Sequence, residues 1–89
     1  MKKANTKKRG RTVWDVVSEI LSDRRRHGTI TLYAATSGRG MYEPVASIGY
    51  AGGEVSDGTL PEPVKATDAG KAVVSGTYPA MDYSIILKK

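Results

Sequence analysis

The residues best placed to do chemistry in this chain are its basic ones. The first twelve residues, MKKANTKKRGRT, hold Lys2, Lys3, Lys7, Lys8, Arg9 and Arg11 and no acid. Arg24, Arg25 and Arg26 follow as an unbroken run, and Arg39 stands alone in SGRG at 37–40. Such side chains neutralise phosphates, and a mobile polycation can track a nucleic-acid backbone without reading its bases. The distribution sharpens this. Residues 1–26 hold nine Lys or Arg against three acids, whereas residues 27–89 hold five against six. Nearly all of the net charge of +5 therefore sits in the first third of the chain, an asymmetry that points to a polyanionic partner.

Other chemistries find little to work with. The one histidine, His27, lies between three arginines and a glycine, with no Cys anywhere in the chain. A nucleophile–base–acid arrangement has no natural origin there, and His27 reads as a solvated helix-end residue. The carboxylates are scattered with no calcium-loop spacing, so neither a metal nor a cofactor is expected. Around Gly70-Lys71 the phosphate-loop pattern fails, because Lys65 stands where its first glycine belongs and Ala72 replaces the hydroxyl. SGRG reads as a hairpin tip rather than a dinucleotide fingerprint. A non-enzymatic protein is expected.

The elements that must position the basic groups are legible to different degrees. TVWDVVSEILSDRRRHG opens with Thr12 and Asp15 in a capping-box pattern. Val13, Val16, Val17, Ile20 and Leu21 recur at helical spacing, and Gly28 supplies a stop. The pattern predicts an amphipathic helix over about 12–26, with the three arginines in its last turn. GTITLYAAT then alternates with period two, as does MYEPVASIGYA, and the two predict an antiparallel hairpin with Pro44 at a strand start or on an edge. Residues 52–65 read as a long loop with a short strand near Val64. ATDAGKAVVSG suits a short helix over 69–75 or a strand, and the helix is preferred. MDYSIILKK reads as a strand. Tyr33, Tyr42, Tyr50 and Tyr83 would either stack bases on an open sheet face or close a core that lacks Phe, and the core role is favoured.

From the long helix through GKAVVSG, with ITLYA and VASIGY as strands between, the chain resembles the first half of a GAF-type sensory domain. That resemblance implies a ligand-sensing fold, for which the chain is short, and no binding residue is carried over from it.

The expectation is an α+β fold: one long N-terminal amphipathic helix on a three- to four-stranded antiparallel sheet, with a short second helix. Residues 1–11 would form a disordered basic arm and residues 12–89 a single small domain. No apolar run is long enough to span a membrane, and a cytoplasmic or nucleoid-associated protein is expected. The expected partner is DNA or RNA, bound through phosphates by Lys2, Lys3, Lys7, Lys8, Arg9, Arg11, Arg24, Arg25, Arg26 and Arg39. The rival is a protein-interaction module, a small inhibitor or adaptor docking through a sheet edge or helix face. It is favoured by Ile86, which faces opposite to Ile85 and Leu87 and so asks for burial on both sides. A core this small without disulfides also favours a homo-oligomer.

Overall fold

Among the described residues, two helices of nine and four residues and five strands make up the fold, in an order that the local patterns only partly foretell. The computed structural model describes residues 11–35 and 41–88. Helix α1 spans Val13–Leu21, β1 His27–Ala35, β2 Tyr42–Ala51 and β3 Glu54–Asp57. A single-turn helix α2 (Glu62–Lys65) precedes β4 (Ala69–Thr77) and β5 (Ala80–Leu87). The strands form one sheet in the order β3-β2-β1-β5-β4.

Helix α1 begins as its sequence prescribes. Thr12 Oγ1 accepts from the backbone N–H of Asp15 at 3.2 Å, while Asp15 Oδ2 accepts from the Thr12 N–H at 3.0 Å. This reciprocal cap satisfies two groups that the first helical turn leaves unpaired, and such caps contribute about 1 kcal/mol. Val13, Val16, Val17 and Ile20 form the buried stripe. They pack on Ile30 and Leu32 of β1, Ile48 and Tyr50 of β2, and Tyr83 and Ile85 of β5, with Leu60 completing the core. Tyr50 and Tyr83 therefore close the core in place of Phe, their rings 6.3 Å apart. The Tyr50 hydroxyl donates to the Met81 carbonyl at 2.9 Å, and burial pushes its pKa up, which keeps that donor protonated. Tyr33 is half-buried and Tyr42 exposed. Trp14 lies outside the core with the Lys65 ammonium 5.5 Å from its ring.

The expected layer of a long helix on a three- to four-stranded antiparallel sheet is not what forms. The helix ends at Leu21 rather than near residue 26, and the reason is local. Ser22 turns its N–H and its hydroxyl onto the Glu19 carbonyl, and Asp23 Oδ1 accepts the backbone N–H of Arg25 at 3.0 Å. A short carboxylate that bonds its own backbone two residues on competes with helix and makes a turn. Arg24, Arg25 and Arg26 thus lie in a connection. Gly28 stops nothing; it lies inside β1.

The sheet departs from expectation as well. β1 and β2 pair antiparallel, as their sequences predict, but β1 pairs on its other side with β5 in parallel. Pro44 lies in the part of β2 that β3 does not reach, since β3 pairs only with residues 49–51, so its missing donor costs little there. The segment 52–65, expected as loop with a strand near Val64, holds both β3 and α2, and Val64 belongs to α2. The short helix expected over 69–75 is instead strand β4, paired antiparallel with β5 along nearly its whole length. The β-branched pair Val73–Val74 outweighs the capping potential of Asp68, which joins Thr12 in an isolated bridge. Ile86 sits beside Tyr33 in the sheet, on the face away from α1, and is half-buried there. Among the described residues no helix is long and apolar enough to cross a membrane.

Candidate polyanion-binding groove

The chain before α1 runs beside the start of β4. The Arg11 carbonyl accepts from the Ala69 N–H at 2.8 Å, and the Thr67 carbonyl accepts from the Val13 N–H at 2.9 Å. This tie brings the root of the basic segment against the sheet edge and opens a groove of about 590 Å³ between α1 and β4. Val16, Ile20 and Tyr83 give it an apolar floor, and Arg11, Arg26, Lys71 and Lys88 are its basic lining residues, Lys71 at the rim because it shares the sheet face of Ile86, away from α1. Glu19 is the one acid in the lining, and its carboxylate is paired with the Arg11 guanidinium.

Arg26 reaches the groove from the turn that follows α1. Its Nη1 donates to the Tyr83 hydroxyl at 2.9 Å, and its Nε lies 3.4 Å from Asp23 Oδ2. That Nε is buried and has no hydrogen-bond partner among the described residues. The Asp23 carboxylate beside it meets its charge in place of a hydrogen bond. Lys71 and Lys88 make no ion pair among the described residues. Gly70 is the extra residue of a bulge in β4, between Ala69 opposite Leu87 and Lys71 opposite Ile86. A side chain at Gly70 would come within 3.3 Å of the Lys88 Cγ, so the bare backbone there lets Lys88 lie across it.

The three consecutive arginines do not act as one cluster. Arg24 packs its stem against Gly53 of the β2–β3 turn, away from the groove, where a Cβ on Gly53 would lie 3.1 Å from its Cγ. Arg25 pairs with Asp23 at 3.3 Å. Arg25 and Arg26 lie 5.5 Å and 5.9 Å from the ring centre of Tyr78, which belongs to the β4–β5 connection. Asp23 thus neutralises part of this run while Tyr78 supports it. The carboxyl of Asp23 is held below the ordinary carboxylate range, chiefly by the Arg25 backbone N–H, with partial burial opposing and the Arg25 and Arg26 charges adding. A depressed folded-state pKa contributes stability that is present above the ordinary value of 3.8 and lost as pH falls through the lower folded value. Asp23→Asn should therefore flatten the acid limb of stability. Urea midpoints measured between about pH 2 and pH 6 check this, and an unchanged limb would refute it.

Of the residues expected from the sequence, Arg11 and Arg26 meet in the groove, whereas Arg24 and Arg25 do not line it. Lys2, Lys3, Lys7, Lys8, Arg9 and Arg39 lie outside the described residues. Lys71 and Lys88 escaped the sequence reading. The available signal was the hairpin: taking residues 69–77 as a strand against 80–87 sets both lysines at one end of it. His27 opens β1 as an exposed residue whose N–H donates to the Pro79 carbonyl at 3.0 Å. Among the described residues no three His, Cys, Asp or Glu gather closely enough to hold a metal ion. No protein-family model matches the chain, and no curated protein or solved structure matches it.

Proposed function

We propose that the protein is a non-enzymatic nucleic-acid-binding module that grips phosphates through the groove between α1 and β4. One observation carries the reading: Arg11, at the root of the most basic segment of the chain, meets Arg26, Lys71 and Lys88 around a single groove. A phosphate backbone held there would continue onto the cations of residues 2–9, so groove and segment would act as one electrostatic surface. Contacts of this kind fix a strand in place without reading its sequence. Such a protein would work in the cytoplasm or on a nucleoid.

Titration of the full chain with short duplex DNA and with single-stranded RNA, at two salt concentrations, tests the reading. Affinity should fall steeply with salt, and deletion of residues 2–10 should weaken binding and flatten that slope. Absence of binding to either nucleic acid, or affinity indifferent to salt, would refute it. A second reading, docking of a protein through a sheet edge, is favoured by β4, whose residues 70–77 are all exposed.

A further inference from the structure

The two edges of the sheet are built differently. On one side β3 has four residues, of which Glu54 and Asp57 are acidic. A short, charged edge resists pairing with another strand. On the other side β4 runs for nine residues with Lys71 its one charge, placed near its beginning beside the Gly70 bulge. From Ala72 to Ser75 the strand is regular, uncharged and free of proline, before Gly76 departs from extended backbone with φ +103°. Beyond the Ala69 N–H, which the Arg11 carbonyl takes, its outer edge pairs with no strand among the described residues. Val73 and Val74 are 45% and 47% exposed although adjacent residues of a strand point to opposite faces. A ligand lying on one face could cover one of them. A strand added in the plane of the sheet extends both faces and covers both.

We propose that the occupant is β4 of a second copy, paired antiparallel about a two-fold axis perpendicular to the sheet. Such an axis keeps each face continuous across the junction, so residues opposite one another must belong to the same face. The register centred on Val73 meets this condition. It sets Val73 against the partner's Val73, Ala72 against the partner's Val74, and Lys71 against the partner's Ser75. Each lysine then faces an uncharged residue, whereas parallel pairing in register would place the two Lys71 side chains together, which is unfavourable. The product is a closed dimer with a ten-stranded sheet. Because the axis is perpendicular to the sheet, both α1 helices fall on the same side. The two grooves, each bordered by residues 69–72, then flank the axis on one surface. The pairing holds whether or not the grooves bind nucleic acid.

Sedimentation equilibrium of the full chain from about 1 µM to about 1 mM tests the proposal. The mass should rise from 9.5 kDa to twice that value. Val73→Lys places like charges opposite one another and should raise the dimer dissociation constant by about tenfold or more. Hydrogen exchange on the unmodified protein supplies a readout independent of any variant: amides of β4 should exchange more slowly at the dimeric concentration than at the monomeric one, while those of β3 should not change. A monomer mass throughout overturns the proposal and leaves β4 for a foreign strand. Masses that grow beyond the dimer overturn it too, since β4 joining a neighbour's β3 would build open chains. So does a dimer whose β4 amides exchange equally at both concentrations.

Discussion

Gly28→Ala is expected to cost about 3–5 kcal/mol, at the upper end of what a single substitution removes. A folded chain of 89 residues has a stability of only about 4–13 kcal/mol, so a loss of that size takes a large share of the margin. The clash is with backbone and has no easy relief. A Cβ at Gly28 would lie 1.8 Å from the Met81 carbonyl oxygen and 2.7 Å from its carbon, and the φ of +155° is one that side-chain-bearing residues rarely adopt. The neighbourhood is also pinned. On one side the His27 N–H bonds the Pro79 carbonyl at 3.0 Å, and on the other the Thr29 N–H bonds Asp82 Oδ1 at 3.0 Å. Room for a methyl group requires β1 and β5 to part where the parallel ladder begins. Gly52→Ala is the comparison. Its φ is +63° but a Cβ there meets nothing within 4 Å, so the cost should be the conformational one alone, about 1–2 kcal/mol. Urea denaturation followed by circular dichroism measures both. Equal midpoints for the two variants would show that β1 and β5 do not approach one another as described.

The second large effect concerns binding. Lys71→Gln together with Lys88→Gln should weaken nucleic-acid affinity about 14- to 30-fold at about 0.15 M salt. The range follows from removing two phosphate contacts. Each contributes about 0.7 to the slope of log affinity against log salt for a single strand and about 0.9 for a duplex, so the slope should fall by about 1.4 to 1.8. Because neither lysine makes an ion pair among the described residues, the fold should be little affected and the comparison clean. Arg24→Gln, a change of one cation on the far side of the α1–β1 turn, should matter less per charge removed. If Arg24 proves as important as the two lysines, binding follows net charge alone and the groove has no special part in it.

How much of this was legible before the fold was known differs from element to element. The cap, the buried stripe of α1, the β1–β2 hairpin and the final strand are set by neighbours within a few residues, and the sequence displays such patterns directly. The end of α1 was hidden because RRR reads as a favourable last turn for a helix dipole, while one Asp23 hydrogen bond suffices to break it. The parallel contact of β1 with β5 joins Leu32 to Ile85, and no local pattern announces a pairing across such a distance. The site shared this limitation. Arg11 and Arg26 were visible as parts of basic runs. Lys71 is an isolated lysine and Lys88 one of a pair with Lys89, and nothing joins them until β4 and β5 bring Lys71 and Lys88 to the same end of a hairpin, which a helix over 69–75 would not do.

The position of β1 in the middle of the sheet has a consequence for synthesis on the ribosome. The β1–β2 hairpin is complete once Ala51 has emerged, yet one flank of β1 waits for a strand that begins at Ala80. During that interval a nascent chain presents Ile30 and Leu32 on an unpaired flank, with the basic segment and α1 already outside the exit tunnel. The last strand to emerge fills the place between β1 and β4, and so turns two independent hairpins into one sheet. Pausing of translation before residue 80 would prolong the stage most open to wrong pairing, whereas rapid delivery of the β4–β5 hairpin would close it.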